Sequence, residues 1–189
     1  MTEPRFATLG DFARSARAWR KLMASGLLSS PKEWVGVRLR FKDGASPFVF
    51  RETARREATT DDPAVIVIQF RLAFLGSNPS LHAAFRRECI LHTPLFAGFP
   101  GFRSKLWADD IRTGVYAGIY EWQGADLASH YAHRMVGLLT PFSNTGTARY
   151  HVIERCHRDD FLSSRRDAGE GASWWQLSEA PAGTPAPSS

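Results

Sequence analysis

FPGFRSKLWADDIRTGVYAGIYEW, residues 99–122, has the clearest structural logic in the chain. Pro100 and Gly101 open a loop. FRSKLWA (102–108) then alternates as a strand does. Phe102, Ser104 and Leu106 fall on one face; Arg103, Lys105 and Trp107 fall on the other. Asp109-Asp110 with Thr113-Gly114 predicts a turn, and VYAGIYEW (115–122) predicts the returning strand. Tyr116, Gly118, Tyr120 and Trp122 share one of its faces, opposite Val115, Ala117, Ile119 and Glu121. A glycine between two tyrosines leaves a dent in that face, suited to a ligand or to a close-packed helix.

Upstream, AVIVIQFRLAF (64–74) begins with an unbroken apolar run rich in β-branched residues. That pattern suits a central strand buried on both faces. Gly76-Ser77-Asn78-Pro79 breaks it, and Ser80 can cap a helix over about 80–93. Leu81, Ala84, Phe85, Cys89 and His92 lie along one side of that helix. Downstream, a helix over about 125–139 carries a stripe of Leu127, Tyr131, Met135 and Leu138, and Pro141 ends it. ARYHVIER (148–155) is the last strand.

The order from residue 63 to 160 is strand, helix, strand, strand, helix, strand. It predicts an α+β, ferredoxin-like βαββαβ domain with a four-stranded antiparallel sheet and both helices on one face. The other face needs cover. A second subunit's sheet supplies it most simply, as a two-fold homodimer. The chain's own hairpin and tail tryptophans are the alternative.

Residues 1–62 read as a basic helix and hairpin extension. Phe12, Ala16, Trp19 and Met23 form an apolar stripe over 8–25, with Arg14, Arg17, Arg20 and Lys21 largely away from it. Such a helix can meet an acidic partner or a membrane surface; docking on its own domain is the commoner use. WVGVRLRF (34–41), Lys42-Asp43-Gly44 and PFVFRET (47–53) predict a hairpin. Residues 161–189 read as a mostly disordered tail, in which the pair Trp174-Trp175 stands out.

Charge divides the same way. The net +5 of this 189-residue chain comes from +6 in residues 1–60 and −1 in residues 61–189. The aromatics that would stack on bases lie mainly in the neutral part, so nucleic acid is an unlikely partner. No apolar run approaches a membrane span of roughly 20 residues, and MTEPRFATLG lacks the apolar core of a secretory signal. Two cysteines, Cys89 and Cys156, make no disulfide framework. A cytoplasmic protein is expected.

Pro100-Gly101-Phe102, Lys105-Leu106-Trp107 and Gly118-Ile119-Tyr120, with the preceding Ile68-Gln69-Phe70, resemble the YdhR-type monooxygenase branch of the dimeric α/β-barrel proteins, the antibiotic-biosynthesis-monooxygenase-like superfamily. The resemblance spans about residues 64–155. It implies a cavity between sheet and helices. In that superfamily such cavities serve oxidation of aromatic polyketides without metal or flavin, haem degradation, or non-oxidative chemistry.

The residues suit such a cavity. Phosphate loops, dinucleotide fingerprints and zinc-protease motifs are absent from the sequence. His130 and His133 stand at i, i+3 without a third ligand of convincing spacing, and Cys89 reads as a small core residue. No metal and no cofactor are expected. His92 beside the glycine loop is the candidate base, and Lys105 or Arg103 the candidate anion stabiliser. Trp107, Tyr116, Tyr120, Tyr131 and Tyr150 are the candidate substrate-binding residues, with His151 beside Tyr150. Each of these aromatics could instead be core or subunit interface. The expected activity is cofactor-independent monooxygenation of a hydrophobic aromatic or polyketide-like metabolite. The rivals are a cyclase or isomerase using the same cavity, and a non-catalytic binding or assembly module.

Overall fold

The computed structural model describes residues 24–56, 60–74, 78–91, 93–163 and 173–181, together with residues 17, 20 and 21. Most of the helix predicted over 8–25 lies outside the described residues. One antiparallel sheet organises the rest. Its strands are β1 (Leu28–Ser29), β2 (Phe48–Arg55), β3 (Pro63–Arg71), β4 (Phe102–Asp110), β5 (Val115–Gln123) and β6 (Arg149–Glu154), in the order β1-β2-β4-β5-β3-β6. The helices are α1 (Pro79–Leu91), α2 (Pro94–Ala97), α3 (Ala125–Leu139) and α4 (Arg158–Ser163).

The four strands β6-β3-β5-β4, with α1 and α3 as crossovers, have the ferredoxin-like order. The sheet has six strands rather than four, because β2 pairs with the free edge of β4 and β1 pairs with β2. Edge pairing satisfies a row of backbone groups that β4 would otherwise leave open. The two arms of the hairpin predicted over 34–53 do pair, with an antiparallel bridge between Arg38 and Phe48, although only the second arm is a continuous strand. Gly36 has φ 90°, which breaks the alternation of WVGVRLRF. The first arm is bonded to the second at alternate residues: Val49 N–H donates to the Val37 carbonyl at 2.9 Å, Leu39 N–H to the Pro47 carbonyl at 2.9 Å and Phe41 N–H to the Ala45 carbonyl at 2.8 Å.

β3 is buried on both faces, as its apolar run predicts. Ala64, Ile66 and Ile68 face the helices, while Val65 and Val67 face the other way. The helix stripes are rotated from the predicted ones. On α1, His82 and Cys89 are buried while Leu81 is exposed; on α3, Ala128, Tyr131 and Ala132 are buried while Leu127 and Leu138 are exposed. Small residues let α3 approach β3 closely, which the larger leucines would prevent.

The second face of the sheet is covered from within the chain. Trp34, Leu39, Phe41, Phe161, Leu162 and Leu177 are buried against Val65, Val67, Leu106 and Ile119. Trp174 and Trp175 pack on the same cluster. The flanking segments also bind each other: Lys42 N–H donates to the Gln176 carbonyl at 2.9 Å and Ser178 N–H to the Arg40 carbonyl at 2.8 Å. Beneath them Arg158 Nη1 donates to Glu52 Oε1 at 2.8 Å, with both side chains buried. The face predicted to meet a second subunit's sheet thus meets the chain's own termini, because residues 34–45, 156–162 and 174–177 supply the apolar area.

Candidate functional site

Between the sheet and the helices lies a cavity of about 600 Å³. Its floor is Ile68 and Phe70 of β3, Lys105 and Trp107 of β4, and Tyr116, Gly118 and Tyr120 of β5. α1 contributes Phe85, Glu88 and Cys89, α2 contributes Phe96, and α3 contributes Met135, Leu138 and Leu139. Phe50 of β2 closes one side. Phe74 and Phe142 belong to the wall yet are strongly exposed, so they mark the mouth.

Two polar anchors hold α1 over this space. Arg86 Nε and Nη2 donate to Asp109 Oδ2 and Oδ1, each at 2.6 Å, a bidentate pair with Asp109 wholly buried. One helical turn earlier, His82 Nδ1 hydrogen-bonds the Tyr116 hydroxyl. The two anchors explain why the buried side of α1 is polar where the sequence predicts leucine and alanine.

Lys105 is the centre of the site. Its Nζ lies 3.0 Å from the Trp107 ring centroid, 4.5 Å from that of Phe96 and 4.6 Å from that of Tyr120. No carboxylate pairs with it among the described residues. Burial pushes its pKa well below the usual lysine range, and the nearby Arg51 charge adds to this. The Cys89 thiolate would oppose the shift, but burial pushes the Cys89 thiol up to about 11. At neutral pH that group is an uncharged thiol. Ring faces return about 2 kcal/mol or more each to a desolvated cation, which offsets part of the several kcal/mol that stripping an ammonium of water costs. Burial also raises the Tyr116, Tyr120 and Tyr131 phenols, which stay protonated at neutral pH. Trp107 is oriented by Nε1, which donates to Thr53 Oγ1 at 3.3 Å.

Of the residues singled out in the sequence, Lys105, Trp107, Tyr116 and Tyr120 stand together in the cavity wall. His92 lies outside the described residues. Arg103 is not in the wall. A register shift between Phe102 and Ser104 breaks the alternation there, so Phe102 joins the helix-facing cluster. Arg103 Nη2 instead donates to Gln123 Oε1 at 2.6 Å. Tyr131 backs the wall, with its ring centroid 5.5 Å from Tyr120 and 4.6 Å from Trp122. Tyr150 packs on the same cluster without reaching the cavity lining. His151 points to the opposite face, stacked on Trp175 at 4.1 Å.

Sequence reasoning missed Phe96, Phe50 and Arg51. Phe96 sits on α2, whose signal was Pro94 at the first helical turn and Gly98 just past the end. Phe50 and Arg51 were legible as strand residues, but not as neighbours of Trp107 across the sheet. Arg51 lies 5.7 Å from the Trp107 ring centroid, and its Nη1 is buried without a hydrogen bond. Among the described residues no group of three or more His, Cys, Asp or Glu is placed to hold a metal ion, and His130 and His133 are exposed on α3.

No protein-family model matches the chain, and no curated protein matches its sequence. Solved structures are similar in fold. One is a ferredoxin-fold protein related to antibiotic biosynthesis monooxygenases from Listeria monocytogenes, at 13% identity, 75% coverage of this chain, 89% of that one and a TM-score of 0.42. Another is a haem-degrading enzyme from Listeria monocytogenes, at 14% identity, coverage of 72% and 91%, and a TM-score of 0.40. A third is a monooxygenase-like protein from Listeria innocua, at 13% identity, coverage of 75% and 88%, and a TM-score of 0.41. No helix among the described residues is long and apolar enough to cross a membrane.

Proposed function

We propose that the protein is an enzyme acting on a hydrophobic, aromatic or polyketide-like small molecule, and that its reaction is cofactor-independent monooxygenation. One observation carries this reading: a single buried amine, Lys105, stands in an apolar cavity large enough for a fused aromatic substrate. Trp107, Phe96 and Tyr120 offer ring faces on which a planar substrate can stack.

Lys105 takes the role of base as well as anion stabiliser. As a free amine it removes a proton from a phenol, or from the carbon acid of an anthrone-like ring system. The ammonium so formed then pairs with the anion in a site without bulk water. The anionic carbon passes one electron to molecular oxygen, and the radical pair joins to a peroxide, which takes a proton from Lys105. Loss of water with the remaining hydrogen on that carbon leaves a carbonyl group, so one CH2 and one O2 become one C=O and one H2O.

The test is oxygen uptake by the full chain with an anthrone, measured against spontaneous oxidation. Wild type should consume oxygen in proportion to enzyme, and Lys105→Met should fall to the background. Uptake that is unchanged by Lys105→Met, or no uptake above background across a panel of anthrones and activated phenols, overturns the reading.

A further inference from the structure

Arginine supplies nearly all the positive charge of this chain. Of its 24 Lys and Arg residues, only Lys21, Lys32, Lys42 and Lys105 are lysines. The guanidinium keeps its charge at any ordinary pH, whereas an amine can give up its proton and become a nucleophile. Lys21 and Lys32 are exposed, and Lys42 Nζ donates to Gln176 Oε1 at 3.0 Å. The enclosed position in the cavity is therefore held by the one cationic residue type that can be discharged there.

We propose that Lys105 is a covalent carbonyl-binding site: its Nζ condenses with an apolar aldehyde or ketone held in the cavity and forms an imine. The Nζ lone pair adds to the carbonyl carbon, the carbonyl oxygen takes up a proton, and the carbinolamine loses water. Both hydrogens of the amine leave with that oxygen, so no oxidant or reductant enters. The geometry favours each part. Nζ meets ring faces rather than a carboxylate, so no ion pair has to be broken. A desolvated lysine near a second cation, here Arg51, is the standard way to free an amine for this chemistry. The walls select an apolar body, with its carbonyl directed to the single amine. The inference shares with the oxygenase reading the cavity and the free amine of Lys105, but it goes beyond that reading because imine formation needs no oxygen.

The experiment is reductive trapping. The full chain is incubated near neutral pH with naphthaldehyde and cyanoborohydride, then weighed intact and mapped by peptide. One secondary-amine adduct is expected on the peptide holding Lys105. It should exceed labelling of each of the other lysines by at least about tenfold, because one pKa unit is a factor of ten in free amine. Lys105→Arg and Lys105→Met should lose it, and the polar aldehyde glyoxylate should label Lys105 poorly. Labelling spread evenly over the four lysines, or an unchanged adduct in Lys105→Met, overturns the proposal. The wild-type map decides the matter even where a variant fails to fold. Trapping without oxygen uptake would sink the oxygenase reading alone; uptake without trapping would sink the imine alone.

Discussion

The Tyr120 ring folds back over Gly118, its neighbour on the same face of β5, so closely that a Cβ on Gly118 would stand 2.7 Å from Tyr120 Cε2. The dent left by the glycine is filled by a tyrosine of the same strand, and that ring in turn faces Lys105 at 4.6 Å. Gly118 thus shapes the site through the space that its missing side chain leaves to the Tyr120 ring.

Gly118→Ala should displace that ring, which is wedged between Phe96 and Tyr131. Overpacking of this kind costs about 1–3 kcal/mol. Urea denaturation should show a lower midpoint, and trapping of naphthaldehyde at Lys105 should fall. A variant as stable and as reactive as wild type would show that the ring has room to move.

Lys105 gives a pH signature in stability. Its folded pKa is depressed, so between that value and the ordinary lysine value of about 10.4 the unfolded chain binds more protons than the folded one. Stability at this group therefore rises with pH across that window and is lost as pH falls through it. Subtracting the pH–stability curve of Lys105→Met from that of wild type should isolate the slope. A flat difference curve would place the Lys105 pKa at its ordinary value.

The ion pair between Glu52 and Arg158 ties α4 to β2 under the covering layer. Glu52 Oε2 also accepts the Trp34 N–H at 3.4 Å. Among the described residues, Glu52→Ala leaves the buried guanidinium with Asp159 Oδ1, at 3.1 Å, as its remaining partner. A loss of about 3 kcal/mol is expected, the lower part of the range for breaking a buried pair. Equilibrium denaturation checks it; a loss below about 1 kcal/mol, the scale of an exposed pair, would mean that water reaches Arg158.

Trp175 shields His151, whose pKa is lowered by burial. Trp175→Ala should raise the His151 pKa back toward 6.5, as read by NMR titration. The same change opens the apolar face beneath, so it should also increase self-association in sedimentation relative to wild type. An unmoved His151 pKa would show that the indole is not what shields it.

The ferredoxin-like order was legible from the sequence because each element carries its own period. AVIVIQFRLAF alternates around a buried run, the 99–122 stretch contains a complete strand pair, and two segments repeat at helical spacing. The grouping of Lys105, Trp107, Tyr116 and Tyr120 was legible for the same reason, since a strand's period of two assigns faces without knowing the partner. Arg103 shows where that stops: one register shift re-aims a side chain, and nothing local announces it.

What the sequence alone determined is the alternation of faces and the order of elements, both properties of a few neighbouring residues. Tertiary structure alone decided which face became the cavity. It set α1 on the Arg86–Asp109 and His82–Tyr116 anchors, which join residues 23 and 34 positions apart. It brought residues 174–177 back over Phe41 and Val67 to close the second face. These outcomes depend on which surfaces meet and exclude water, and burial is a property of the assembled chain. The stretch 99–122 holds Lys105, Trp107, Tyr116 and Tyr120 of the cavity wall, but only the packing of α1 and α2 against them enclosed Lys105 and withdrew it from solvent.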